Sequence, residues 1–546
     1  MPLKLILPLL LVLCLLPDLR AQPGEMWQGN RDEKRTSAVV ETPVPTPTGG
    51  NPFVTNAPFK ARNRIDRLLR ESLRRQNVDP APLCSDEVFI RRAYLDVIGM
   101  LPTVSEVYGF LEDKDENKRR KLIETLLARQ EFVDFQTMRW CDLLRVKAEF
   151  PINLWPNGAA CYYRWIRKSV DENKPYDRFV RDLLTASGSN FRDGPSNFYR
   201  AVPSKDAETL AETVTRTFLG IDINPWPKEK RTQLARFFSQ VGYKETAQWK
   251  EEIVYWERKS FDSHVAIFPD GQQTTLESDR DPRRVFADWL VSPDNVQFNR
   301  CIANRVWVWL FGSGLIPEPE DSRANLPPVH PELLDYLCSE LVKSKYDLRH
   351  LYRLILNSSV YQQSSIPKDT HVEAAVLFAS YPIRRIEAEV LQDNLMQLFD
   401  LPIGYVSEIP EPFTYIPPRY RTVLLPDSGI TSSFLDMFGR ASRDTGTESD
   451  RNNSVTESQL LFFLNSTEVN TWISRYMMKY RNFQRRPGAY KNMLDELWLT
   501  FLSRYPTETE RRIVADELRE PDKQGRQKLQ DVIWSLLNTT EFLCKH

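Results

Sequence analysis

The sequence predicts a mainly α protein, with two helical domains joined by a connector that carries a short β-hairpin. Three observations carry this expectation. From Ala61 onward apolar residues recur at helical spacing over most of the chain, beginning with Ile65, Leu68, Leu69 and Leu73. Helix starts carry capping signatures, in which a hydroxyl and a carboxylate three residues on satisfy free amides: Thr103-Val104-Ser105-Glu106 follows Pro102, and Thr507-Glu508-Thr509-Glu510 follows Pro506. Strand signals are rare, and the best is confined to 263–276, where His264-Val265-Ala266-Ile267-Phe268 runs into the turn Pro269-Asp270-Gly271.

In chain order, residues 1–21 read as an export signal: Lys4 precedes an apolar run from Leu5 to Leu16, then Pro17-Asp18 and a small Ala21. The run contains Pro8 and falls short of the roughly 18 uninterrupted apolar residues of a membrane span. Leu13 stands before Cys14 where a lipid-attachment signal wants a small residue. Residues 22–58, with Thr42-Pro43-Val44-Pro45-Thr46-Pro47, cannot bury enough to offset their ordering entropy and read as a flexible tether. The first helical domain spans 59–245, with helices expected near 104–111, 118–129, 131–147, 159–173, 176–186, 205–219 and 228–240. The connector spans 246–280. The second domain, 281–546, restarts with helices near 281–291, 294–311, 330–343, 347–357 and 385–399, crosses a loop-rich stretch at 401–450, and closes with helices near 455–480, 488–503, 508–519 and 524–538. The turn Leu502-Ser503-Arg504-Tyr505-Pro506-Thr507 echoes the one before Thr103.

Composition narrows the function classes. With 41% hydrophobic residues, 13 Trp and 28 Phe the chain is globular over most of its length. Its net charge of −1 gives no electrostatic reason to expect nucleic acid or an anionic membrane as partner. Cys84, Cys141, Cys161, Cys301, Cys338 and Cys544 lie beyond the export signal, none in a CxxC, and their pairing stays open. Cys338 shares an apolar stripe with Leu334, Leu337 and Leu341, as a small buried hydrophobe does.

Several ordered blocks carry a family resemblance from about residue 61 to the C-terminus. In the first domain they are Asp86-Glu87-Val88-Phe89-Ile90-Arg91-Arg92-Ala93-Tyr94-Leu95-Asp96-Val97-Ile98-Gly99, Leu101-Pro102-Thr103 and Asn173-Lys174-Pro175-Tyr176-Asp177-Arg178-Phe179-Val180. In the second they are Asn304-Arg305-Val306-Trp307, Phe311-Gly312-Ser313-Gly314-Leu315, His330-Pro331-Glu332-Leu333-Leu334-Asp335, Arg385-Ile386-Glu387-Ala388-Glu389 and Leu537-Asn538-Thr539-Thr540-Glu541-Phe542. The chain resembles secreted planctomycete-type proteins that pair a cytochrome-associated domain of unknown function with a planctomycete-specific one. The resemblance implies a CxxCH haem motif after Phe218-Leu219-Gly220, but Ile221-Asp222-Ile223-Asn224-Pro225 follows, without Cys or His. It also implies a Cys-x-Cys pair before an Arg, where Thr447-Glu448-Ser449-Asp450-Arg451 stands.

The candidate ligand-binding residues are Arg305, His330, Glu332, Asp335, Arg385, Glu389 and Asp393. His330 sits with Glu332 and Asp335 at a helix start, as a base oriented by a carboxylate does, or simply as the residue that enters the helix before Pro331. Arg384, Arg385, Glu387, Glu389 and Asp393 form a charge cluster expected on one helix, where Glu389 and Asp393, four apart, repel unless a cation such as Arg305 or Arg385 lies between them. That arrangement suits a paired-carboxylate hydrolase or a buried ion-pair network. Of Trp307, Trp309 and Phe311, an exposed Trp is expected to suit stacking on a sugar ring. The five histidines, His264, His330, His350, His371 and His546, fall at no metal spacing, and no cofactor or metal is expected. The functional expectation is an exported binding or scaffold component of an assembly in the periplasm or at the cell surface, partnered by other extracytoplasmic proteins or a polymer. The alternatives are a hydrolase of extracytoplasmic polymers using Asp and Glu of the second domain, and a redox-associated protein that has lost covalent haem.

Overall fold

The computed structural model describes residues 51–55, 57–259, 264–317, 319, 327–368, 372–417, 419–480, 489–519 and 525–546. The expected export signal, most of the expected tether and His371 lie outside them. Among the described residues the first seven helices are α1 (Arg64–Arg75), α2 (Asp86–Val97), α3 (Val104–Glu112), α4 (Lys118–Ala128), α5 (Gln130–Leu143), α6 (Trp155–Asp171) and α7 (Tyr176–Leu184). β1 (Gly188–Ser189), α8 (Ala207–Leu219) and α9 (Lys228–Ala235) follow, then β2 (Val241–Glu245), β3 (Glu252–Trp256), β4 (His264–Ile267) and β5 (Gln273–Leu276). The rest of the chain builds α10 (Pro282–Leu290), α11 (Val296–Phe311), α12 (Pro331–Lys343), α13 (Leu348–Leu356), α14 (Val372–Val376), β6 (Arg384–Arg385), α15 (Ala388–Phe399), α16 (Ser433–Met437), α17 (Glu457–Asn465), α18 (Thr467–Tyr476), α19 (Ala489–Leu502), α20 (Glu508–Arg519), α21 (Gly525–Leu537), α22 (Thr540–Leu543) and β7 (Cys544–Lys545). The chain is mainly α, with two domains and only small sheets.

The expected hairpin forms: β4 and β5 are antiparallel, with His264 opposite Leu276 and Ile267 opposite Gln273. A second pairing has no counterpart in the sequence reading. β2 and β3 pair from Val241 with Trp256 to Glu245 with Glu252, and β1 adds to the other edge of β3. The helix expected at 228–240 ends at Ala235 and passes through a 3-10 turn, Arg236–Phe238, into β2. Lys244, Glu245 and Glu252 break the apolar alternation by which these strands would announce themselves, and Val254 is the buried anchor of β3. The charge cluster of the second domain also divides: Arg384 and Arg385 lie in β6, paired with β7, and only Ala388 onward is helical.

Both capping boxes form. The Thr103 hydroxyl accepts from the Glu106 amide at 3.3 Å while the Glu106 carboxylate accepts from the Thr103 amide at 2.8 Å; the corresponding distances for Thr507 and Glu510 are 3.2 and 2.6 Å. Each is preceded by a left-handed residue that ends the helix before it, Gly99 at φ 62° and Ser503 at φ 57°. At Gly99 only glycine fits, since a Cβ there meets the Phe135 ring at 3.0 Å and Val390 at 3.2 Å.

The buried apolar residues form two clusters. One gathers residues from Ile65 to Tyr381, with Ile409 and Leu499 from further along the chain, and includes Trp140, Trp307 and Tyr361. The other gathers residues from Ile386 to Phe542 together with Leu95, Leu101, Phe135 and Met138 of the first domain. Residues from Asn51 are docked: the Thr55 amide donates to the Leu83 carbonyl at 2.9 Å, and Phe53 meets His546 edge-on at 5.7 Å.

Candidate functional site

α15 exists because an apolar stripe of Val390, Leu391, Leu395 and Phe399 packs into the second core, and this packing carries Glu389 and Asp393 inward with it. Glu389 is fully buried and receives both arms of the Arg451 guanidinium, at 2.5 and 2.9 Å, with Arg440 at 3.5 Å. Burial by itself raises its carboxyl, but Arg451 and Arg440 outweigh this and hold it below the ordinary range. Arg451 also grips Asp142 of α5 at 2.6 Å, and Arg443 reaches the other Asp142 oxygen at 2.9 Å. Asp393 accepts from the amides of Thr422 and Val423, at 2.5 and 3.3 Å, beside Arg421 at 3.5 Å. Burial raises its carboxyl. The repulsion between the two carboxylates is thus relieved by Arg451 and Arg421, and neither Arg305 nor Arg385 lies between them.

The other candidates are dispersed. His330 is buried, with Nε2 3.0 Å from the Leu377 carbonyl and Nδ1 2.8 Å from the Ser72 hydroxyl. A carbonyl only accepts, so Nε2 carries the hydrogen and the serine donates to Nδ1. Burial lowers its pKa, and it is a neutral tie between α1 and α12. Glu332 pairs with Arg75 at the surface at 2.8 Å, and Asp335 with Arg300 at 2.7 Å. Arg385 spends its guanidinium on the carbonyls of Phe438 and Asn452, at 2.5 and 2.8 Å. Arg305 is buried and donates to the Thr217 carbonyl at 2.8 Å, with Glu448 at 3.8 Å. It therefore ties together the two segments at which the family resemblance implies thiols. Here those segments carry Asp222 and Asn224 on one side and a chain of hydroxyls, Thr445, Thr447 and Ser449, spaced 2.8 and 2.9 Å, on the other.

Two features escaped the sequence reading. One is a second buried ion network: Asp96 accepts from the hydroxyls of Tyr361 and Tyr381 at 2.9 and 2.7 Å, from Arg384, and from Lys545 at 3.2 Å. Lys545 also binds Glu387 at 2.7 Å. The other is an open aromatic surface. Trp155, at the start of α6, meets Trp249 of the β2–β3 turn edge-on at 4.6 Å and Phe413 at 5.5 Å. Trp249 is 67% exposed and Phe413 51%. Next to them a cleft of about 420 Å³ is lined by Asn157, Ala160, Arg164, Phe191, Arg192 and Gln248. Trp249 and Phe413 lie in loops, which carry no periodicity, so nothing in the spacing joined them to the start of α6. Trp307 and Trp309, singled out for stacking, are buried, the Trp309 indole donating to Glu448 at 2.8 Å.

Among the described residues no cluster of three His, Cys, Asp or Glu side chains is placed to hold a metal, Cys84, Cys141, Cys161, Cys338 and Cys544 are free thiols, and no helix is long and apolar enough to cross a membrane. Residues 64–241 match the PSCyt2 family, a protein of unknown function (DUF1549), and residues 282–518 match PSD1, a protein of unknown function (DUF1553). No curated protein and no solved structure matches the chain.

Proposed function

Because the chain belongs to the proteins that pair a PSCyt2 domain with a PSD1 domain, whose function is unknown, we propose from its geometry that it is an exported binding component of an extracytoplasmic assembly. The observation that supports this is the aromatic surface: the start of α6 and two loops from different parts of the chain bring Trp155, Trp249 and Phe413 together beside an open polar cleft. Loops set on a packed scaffold are where recognition residues are placed. A hydrolase built on the second domain's carboxylates needs Glu389 and Asp393 to reach substrate, yet each is buried and spent on an arginine or on backbone amides. A buried bidentate pair of that kind costs several kcal/mol to break, so it does not exchange for a substrate during turnover.

The test is retention of the purified chain on cell-envelope polymer and on immobilised extracytoplasmic proteins. The native chain is expected to be retained and Trp249→Ala to be released, with its folding unchanged. Retention indifferent to Trp249, or a hydrolytic activity removed by Glu389→Gln at unchanged stability, would overturn the reading.

A further inference from the structure

Resting on the binding role proposed above, we infer that the cleft beside Trp155 and Trp249 is a subsite for an acidic polysaccharide. A sugar ring presents an apolar C–H face and a polar rim. Trp249 and Phe413, 67% and 51% exposed, offer broad rigid faces that take the first at low conformational cost. Asn157 and Gln248, each both donor and acceptor, match the hydroxyls of the second.

Charge selects the class of sugar. The cleft lining holds two guanidinium groups, Arg164 and Arg192, and no carboxylate. The Arg192 side chain is 77% exposed; Glu251, 3.6 Å away and held by the hydroxyls of Ser189 and Thr246 at 2.5 and 2.7 Å, offsets part of its charge and leaves Arg164 to carry the rest of the cleft's positive charge. Lys250 sets its ammonium 5.8 Å from the Trp155 ring centre and 5.7 Å from that of Trp249, adding a third cation at the aromatic end. In a chain whose net charge is −1 this local excess is a feature of the site. Planar guanidinium forks fit carboxylate and sulfate groups, which a uronate-bearing or sulfated polymer repeats along its length.

Two residues of the surface also hold an uncommon backbone conformation. Trp155 and Lys250 both sit in the left-handed region at φ 64°, a conformation that is sterically costly for large side chains. Such residues persist where the surroundings hold them and concentrate at ligand-binding positions. Trp155 and Trp249 meet edge-on at 4.6 Å.

The experiment is affinity electrophoresis and calorimetric titration of the full chain with polygalacturonate, dextran sulfate and neutral dextran. Polygalacturonate or dextran sulfate is expected to bind and dextran to bind at least about tenfold more weakly. Trp249→Ala is expected to weaken binding of the acidic polymer about tenfold or more, and the double change Arg164→Gln with Arg192→Gln to weaken it similarly and flatten its dependence on salt. Both substituted regions are surface-exposed, and circular dichroism checks that the variants fold. Equal binding of neutral and acidic polymers, lost in Trp249→Ala, overturns the acidic class and leaves the binding role standing. Capture of a protein partner through Trp249 with no polymer bound does the same. Polymer binding and partner retention both indifferent to Trp249→Ala overturn both readings.

Discussion

Glu389 and His330 illustrate how far a single residue could be read. The spacing of Glu389 and Asp393 stated correctly that two carboxylates share a helix face and need neutralising. It could not say by what, because Arg451 lies 62 positions away along the chain and arrives only through the fold. Replacing Glu389 with Gln leaves the buried Arg451 with Asp142 alone, and the expected loss is about 3–5 kcal/mol, read as a lower urea midpoint at unchanged slope. His330 sets a pH dependence with a definite sign. Its folded pKa is lowered by burial, so the unfolded chain binds its proton first as pH falls. The stability it contributes is full above the unfolded value of about 6.5 and is lost below it. His546 acts in the same direction, held at about 3 by burial and by the charges of Arg91 and Arg92. Asp393 and Asp427, raised by burial, act oppositely below neutrality. The double variant His330→Gln with His546→Gln is therefore expected to lose less thermal stability between pH 7 and 5 than the native chain. A parallel pair of profiles would count against these two side chains as the source.

At the scale of elements, period and caps located most helices, although the single helix expected at 455–480 divides at Ser466, which ends α17 and caps α18. The boxes at Thr103 and Thr507 were legible because their chemistry is local, confined to four residues. The two-residue strands β6 and β7 were not, because a pairing between positions 160 residues apart leaves no local pattern. Yet this short pairing is heavily supported. β7 delivers Lys545, fully buried, between Asp96 and Glu387, and the His546 carbonyl accepts from Arg92 at 2.8 Å. Lys545→Met keeps the length of the stem and removes the cation, leaving Glu387 with Arg139 at 3.7 Å as its remaining close cation. The expected cost is about 3 kcal/mol or more. Hydrogen exchange is expected to localise the loosening to α2, β6 and β7, and uniform loosening across the chain would argue that the strand pair is no local clasp.

Across the whole molecule the two domains share more than a border. Leu95, Leu101, Phe135 and Met138 of the first lie in the core of the second. Arg91 donates to the carbonyls of Phe501 and Phe542, at 2.8 and 3.0 Å, while Asp142 is held by Arg443 and Arg451. None of these ties could be inferred from composition or spacing, since each joins residues hundreds of positions apart, whereas the connector hairpin was visible because it is local. A chain cut at the connector would expose the four apolar side chains and strand Asp142 and Asp96 without their cations. The first domain with the connector, 59–280, is therefore expected to be produced insoluble or to lack a cooperative thermal transition, and to be rescued when 281–546 is produced with it. The intact chain is expected to unfold in one calorimetric transition whose heat matches its van't Hoff value. Two resolved transitions, or a first domain that melts cooperatively by itself, would show that the shared contacts are incidental. The single transition would mean that the segments carrying Trp155, Trp249 and Phe413, drawn from both halves of the chain, are held in register by the whole fold.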